Sequence, residues 1–358
     1  MPDENDMKEP SRMYRRAEDG TPVRGDLADG EPLLGMAVTE GRREVLLRER
    51  DREAPEPPED GPGRADLLIE FQGPGPVDAC LPQAFRPAEE EAPGIGDAVD
   101  GCLDGSGAEG AFIRLLMKRL PERGHHLWLI GGAVRDLVDV GPEAAPNDLD
   151  FAGTLPPLEM RQAIDDWSVD FGLGDYEARM SRPSLVVHLS RPEQGDGSRI
   201  LEYKALAVTD FLFPAYGGSL TDDVASRDLT VNSLYYDHGR RLLADPSGEG
   251  IAHLRARPRV LASRNAERPA GRSALVLLRF VKFTFRYPDA DITHLREWAA
   301  ELPADLPDRL DESDWRAVRH SWRGCVPHDG LRRAVEIAGL LGPAAGALVD
   351  RLTEEAGA

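Results

Sequence analysis

The chain has 358 residues, a length that suggests two domains, and its 43 Lys and Arg face 64 Asp and Glu for a formal charge of −21. So acidic a chain does not hold nucleic acid by bulk attraction, because non-specific binding comes from basic side chains neutralising phosphates. No apolar run reaches the ~18 residues of a membrane span, the start MPDENDMKEP is unlike a secretory signal, and three scattered cysteines fit neither a disulfide framework nor a zinc set. The expectation is a soluble, cytoplasmic protein with no membrane or DNA partner.

Residues 1–110 hold 27 acidic and 12 basic side chains, so most of the excess charge lies there. Stretches such as 53–63 (EAPEPPEDGPG) and 87–101 (PAEEEAPGIGDAVDG) have too few apolar side chains to offset the entropy of ordering. Residues 1–108 are therefore expected to be a mostly disordered acidic leader. Within it, RREVLLRERDRE (42–53) has the composition of a charged helix and DLLIEF (66–71) that of a short strand.

The pattern changes at Ala111. AFIRLLMKRL (111–120) sets Phe112, Leu115, Leu116 and Leu120 on one helical face. LWLI (127–130) reads as a buried strand ending in a glycine pair, 133–139 as a helix, and DLDFAG (148–153) as a second strand. Residues 158–167 read as a helix, 184–190 and 199–208 as paired strands, and 222–236 and 269–286 as helices. The rest is helical, broken by Pro and Gly. The expected architecture is an α/β head with a small mixed sheet flanked by helices over 109–262, then an α-helical neck and C-terminal domain over 263–358.

Chemistry concentrates in 127–153. A strand ending at Gly131-Gly132 and passing straight into a helix exposes backbone N–H groups at the positive end of the helix dipole, which suits a polyphosphate. Arg135, one turn on, reaches the same phosphates. A plain tight turn explains many such glycine pairs equally well. Asp148 and Asp150 are two residues apart on the second strand, so period-two alternation sends both carboxylates to one face. Carboxylates that close favour a divalent cation, and Mg²⁺ is held by one or two carboxylates together with substrate phosphates. In a sequence this rich in Asp, an acidic turn is the competing reading.

The segments GGAVRD, DLDF and SRDLTVNSL (226–234) follow one another in order. Together they resemble the motifs of the class II tRNA nucleotidyltransferases and bacterial poly(A) polymerases. The head domain of that family belongs to the polymerase-beta-like nucleotidyltransferase superfamily. The resemblance covers about residues 125–287. It departs from the family pattern at Ser226, where an Arg is usual, at Ser233, where an Ala is usual, and at His253, where an Asp is usual.

The resemblance implies a transfer of a nucleoside monophosphate from an NTP (ATP, CTP or both) to a hydroxyl, with an RNA 3′ end as acceptor. Its implied site residues are Asp148 and Asp150 for Mg²⁺, with Glu202 as a third acid that helps deprotonate the attacking hydroxyl. Gly131, Gly132 and Arg135 would hold the triphosphate. Arg227 and Asp228 would contact the sugar-phosphate, and Asn232 would brace them. In the following helix, the family's base-reading acidic pair falls on Arg272 and Ser273 and its first Arg on Val276, leaving only Arg279 as a match. Loss of a bidentate base contact removes roughly 1–3 kcal/mol of discrimination. Two further readings stay open: a protein or small molecule as acceptor, and a relative that binds nucleotide or RNA without turnover. Arg316, Arg319, Arg323, Arg332 and Arg333, interleaved with Trp315 and Trp322, read either as an RNA-contacting surface or as a solvated helix face over a core.

Overall fold

The computed structural model describes residues 84–144, 149–180, 186–190, 199–208, 215–216, 220–266, 269–327 and 329–357, with the backbone of five short strands nearer the N-terminus. Those strands are β1 (Tyr14–Arg16), β2 (Pro22–Asp26), β3 (Pro32–Met36), β4 (Val45–Glu49) and β5 (Leu67–Phe71), paired in chain order as an antiparallel meander. The strand expected at 66–71 is β5. The charged helix expected over 42–53 is replaced by β4, which pairs with β3 and β5 on both sides. Its Val-Leu-Leu core suits a strand once partners are present.

The chain divides into two units, residues 1–223 with 235–244 and residues 224–234 with 245–358. In the first unit, β6 (Phe85–Pro87) leads through α1 (Ala88–Glu91) to α2 (Ile95–Gly105) and α3 (Gly107–Glu122). This overturns the expected lack of order over 87–101. Ile95, Val99 and Leu103 recur every four residues and are 0–1 % exposed, so one apolar stripe anchors α2 despite its acidic neighbours.

Then follow β7 (Leu127–Ile130), α4 (Gly131–Asp139), β8 (Asp150–Gly153), α5 (Pro157–Ser168), β9 (Glu177–Met180), β10 (Val187–Ser190) and β11 (Arg199–Ala205). The short pair β12 (Ala207–Val208) and β13 (Ala215–Tyr216) precedes α6 (Leu220–Ala225), after which come β14 (Tyr235–Asp237) and β15 (Leu242–Ala244). The helix expected over 222–236 is thus confined to α6. Tyr235 and Tyr236 pair with Ile130 and Leu129 of β7, and that tertiary pairing overrides the local helical pattern.

Eight strands form one mixed sheet in the order β6-β15-β14-β7-β8-β11-β10-β9, with only β8 and β11 parallel. The register separates its two faces. One rung, Leu129–Phe151–Tyr203–Val187, is 0–1 % exposed. α5 packs on β9, β10 and β11 and buries Met160 and Ile164, while the Tyr203 hydroxyl donates to Leu155 O at 2.6 Å. The next rung, on the opposite face, reads Tyr235–Ile130–Asp150–Glu202–His188–Arg179.

The second unit is helical: α7 (Gly250–Arg255), α8 (Ala270–Arg286), α9 (Thr293–Ala300), α10 (Glu312–Cys325), α11 (Leu331–Leu341) and α12 (Pro343–Gly357). α8 is its core, with Leu277, Leu278 and Phe280 buried and the Phe280 ring edge-on to Trp298 at 5.1 Å. A reciprocal capping box between Asp311 and Asp314 starts α10. Trp315 and Trp322 are each 8 % exposed, so both belong to the core of this helical unit. Among the described residues no helix is long and apolar enough to cross a membrane.

Candidate active site

The site in the first unit is built where β7 hands over to α4. Gly131 has φ +70°, the left-handed region in which a side chain is strained. A Cβ there would sit 3.3 Å from Asp150 Oδ2. The glycine therefore serves two ends, the sharp turn and the close approach of the carboxylate. A Cβ on Gly132 would lie 3.6 Å from an Arg135 guanidinium nitrogen. Arg135 is 5 % exposed and donates from Nε to Asp136 Oδ1 at 2.9 Å, so it is held against the glycine turn.

Asp150 is half-buried and opens β8. Its partner across the parallel ladder is Glu202 of β11, which places the two carboxylates on one face of adjacent strands about 4.8 Å apart in backbone spacing. Glu202 has a side chain 38 % exposed, and His188 of β10 approaches it at 3.6 Å, Nδ1 to Oε2. Asp148 lies outside the described residues.

Lys204, two residues beyond Glu202 on the same face, reaches Asp223 at 3.9 Å. Asp223 is fully buried and accepts a 2.5 Å hydrogen bond from the Tyr235 hydroxyl. No motif in the sequence singles out His188, Lys204 or Asp223. Lys204 follows from period-two spacing, whereas His188 and Asp223 join this face through strand register and tertiary packing that no local pattern reveals.

The donors fit a hard divalent cation, since carboxylate oxygens on neighbouring strands are the ligands Mg²⁺ takes. Among the described residues no cluster of three or more His, Cys, Asp or Glu is gathered for a metal. The set is the kind that substrate phosphates complete.

The second unit holds the third motif. Asp228 accepts from Arg279 Nε at 2.7 Å, from Asn232 Nδ2 at 3.0 Å and from the Leu229 N–H at 2.8 Å. Burial alone would raise its carboxyl, but the Arg279 charge and these hydrogen bonds hold it down at about 2. Arg279 also lies over the Phe283 ring at 5.2 Å. Arg227 is half-buried beside this knot. Asp228, Asn232 and Arg279 are brought together as one unit, with Asn232 bracing the carboxylate.

The departures from the motif have structural counterparts. Arg272 donates to the Ser226 carbonyl, and the Ser233 hydroxyl donates to Leu229 O at 2.8 Å. His253 Nδ1 lies 2.9 Å from the Thr230 hydroxyl, which ties α7 to the turn carrying Asn232. Ser273 and Val276 are 0 % and 2 % exposed. They are core residues of the helical unit.

Residues 127–258 match the profile of the poly A polymerase head domain. The chain is 27 % identical over 223 residues to the Multifunctional CCA protein of Stenotrophomonas maltophilia, an overlap covering 61 % of this chain and 50 % of that protein. It thus spans about half the length of that curated relative. Among solved structures it is similar to the Thermotoga maritima CCA-adding enzyme complexed with tRNA (17 % identity, 71 % of this chain, 55 % of that one, TM-score 0.46). It is also similar to the Bacillus stearothermophilus CCA-adding enzyme in complex with CTP (16 % identity, 72 % of this chain, 53 % of that one, TM-score 0.41). The glycine turn, the paired carboxylates and the Asp228 knot, apart from Arg279, all fall inside residues 127–258, the segment that matches the poly A polymerase head domain.

Proposed function

We propose that this chain is a nucleotidyltransferase that moves a nucleoside monophosphate from an NTP to the 3′ hydroxyl of an RNA. The observation that carries the reading is the placement of Asp150 and Glu202 on one face of paired strands beside Gly131, inside a segment that matches a polymerase head domain. Asp150, with Asp148, would hold Mg²⁺, whose charge would lower the cost of gathering the triphosphate and the hydroxyl.

The chain's own residues do the rest. The backbone N–H groups at the start of α4 and the Arg135 guanidinium bind the polyphosphate, and Glu202 takes the proton of the attacking hydroxyl. That oxygen bonds to the α-phosphorus as the α–β bridging P–O bond breaks, and pyrophosphate leaves with the electron pair. Arg227 contacts the sugar-phosphate side of the nucleotide. Asp228, neutralised by Arg279, sets the position of that element. Most of the rate gain is positioning and charge neutralisation, as in phosphoryl transfer generally.

With Ser273 and Val276 inside the core, neither supplies an exposed hydrogen-bonding pair for a base edge. ATP and CTP are therefore expected to be used with little discrimination at these two positions. The test is the purified chain with Mg²⁺, each labelled NTP in turn, and total RNA. Label on RNA that disappears in Asp150→Ala supports the assignment. Label on protein or a small molecule moves the acceptor, and no label anywhere removes the activity.

A further inference from the structure

Among the described side chains of the first unit, every arginine but two lies within 4.0 Å of a carboxylate, as Arg114 does with Asp100 and Arg179 with Glu177. The exceptions are Arg119 and Arg123, one turn apart at the end of α3. Both guanidinium carbons lie over the Trp167 ring of α5, at 5.1 and 4.5 Å from its centre. Trp167 is 7 % exposed, Arg119 half-buried and Arg123 exposed. Glu122, on the same turn, pairs with neither among the described residues.

Acids outnumber bases by 64 to 43 in this chain, so a matching carboxylate is easy to supply, and elsewhere in the unit one is supplied. Here the indole orders two long side chains by cation–π contact instead. Ordered guanidinium forks left open in this way fit the oxygens of a phosphate.

The position excludes the reacting triphosphate. Arg123 lies just before β7, which begins at Leu127, whereas Asp150 is paired with Ile130 at the strand's other end, about 10 Å along it. We infer that Arg119 and Arg123, held on Trp167, bind a backbone phosphate of the single-stranded RNA acceptor some nucleotides away from its reacting end. The inference rests on the proposed RNA acceptor, but the site itself is read from the arginine pair.

The test measures binding of a short labelled oligoribonucleotide to the full chain over a range of salt, with thermal unfolding confirming that each variant is folded. The double variant Arg119→Gln, Arg123→Gln is expected to raise Kd about fivefold or more. It is also expected to flatten the slope of log K against log salt by ~0.7, the value for one single-strand phosphate that is no longer neutralised. Arg119→Lys with Arg123→Lys restores the slope. Wild-type Kd and slope in the double Gln variant overturn the site, and so does a wild-type chain that binds no oligoribonucleotide. Inorganic phosphate is run in parallel: loss of phosphate binding with RNA binding intact assigns the pair to a free anion and overturns the RNA reading. Transfer in the Asp150→Ala variant is measured separately. If RNA binding weakens in the double Gln variant while no Asp150-dependent transfer is found, the site stands and the transferase reading falls.

Discussion

Two carboxylates of the segment that matches the polymerase head domain live under opposite rules. Asp150 stands half-buried at the mouth of a strand, with Glu202 as its neighbour across the ladder and a glycine pressed against its oxygen. Asp228 accepts three hydrogen bonds and an arginine charge, and its carboxyl is held at about 2. The first arrangement puts acid beside acid on one face of the sheet. The second has been neutralised by the fold itself. On the proposed reading, one of these acids is set to meet a ligand and the other sets the shape of the protein.

Substitution separates the two. Asp150→Ala is expected to lower transfer by at least ~10³-fold, with thermal unfolding confirming that the variant is folded. NTP binding, followed by calorimetry, is expected to persist through the glycine turn. A variant that keeps transfer contradicts the metal role of Asp150. Arg279→Met does the reverse: it leaves the Asp228 carboxylate without its cation, which is expected to cost about 2 kcal/mol of stability, discounted from the cost of breaking a fully buried pair because Arg279 is partly exposed. Denaturant unfolding measures it. If Arg279→Met unfolds at the wild-type midpoint, the Asp228 knot is not what orders this turn.

The same knot sets an acid limb. Asp228 has its folded pKa below the ordinary value of 3.8, so the unfolded chain binds more protons in that window. Stability from this group is complete above ~4 and is lost as pH falls towards 2, about 2 kcal/mol in all. Asp228→Asn removes this dependence, and unfolding midpoints at pH 3 and pH 5 in both proteins test it.

The half of the candidate site built on the glycine turn is easy to find in the sequence and the half around it hard. Gly131 and Asp150 announce themselves because their chemistry is local: a glycine pair at a strand end and an acid that opens the next strand. The alternation of Glu202 and Lys204 along one strand is equally visible. His188 and Asp223 share their face only through register and tertiary packing, which a single sequence does not encode locally. The α2 segment is hidden for a different reason. Its Ile95, Val99 and Leu103 stripe is plain in the sequence, but the surrounding Asp, Glu and Gly outweigh it in any reading based on composition. The helical pattern over 222–236 misleads because the strand pairing of Tyr235 and Tyr236 wins over local periodicity.

Smaller effects sharpen the contrast at the glycine turn. Gly131→Ala forces a side chain into φ +70° and pushes a methyl to 3.3 Å from the Asp150 carboxylate. A cost of about 1–2 kcal/mol is expected from the backbone alone. Transfer should fall about tenfold through displacement of Asp150, with RNA affinity unchanged. Gly132→Ala, at φ values a side chain accepts and 3.6 Å from the flexible end of Arg135, is expected to be milder on both counts. Equal losses in the two variants would show that the turn tolerates neither methyl and that Asp150 is not the reason.

A third carboxylate gives the smallest effect and lies between the two types. Asp100 on α2 accepts from Arg241 at 2.8 Å, from Arg114 and from His238 at 3.2 Å. Burial opposes its ionisation, but Arg114 and Arg241 hold its carboxyl at about 2. Its neighbour His238 moves the other way: burial lowers the imidazole below 6.5, and the Arg241 and Arg114 charges act in the same direction against the raising pull of Asp100. Because the folded state binds fewer protons than the unfolded chain below 6.5, stability falls as pH drops through that window and is fully present above it. His238→Gln keeps a donor for Asp100 and removes the titration, so its melting temperature is expected to change less between pH 7.5 and pH 5.5 than that of the wild type. His253 is lowered by burial as well, so part of the slope will remain, and the double variant with His253→Gln should flatten it further. If neither substitution alters the slope, then the clasp that joins α2 to the β14–β15 hairpin is insensitive to protonation in this range, and the acid limb belongs to the carboxylates alone.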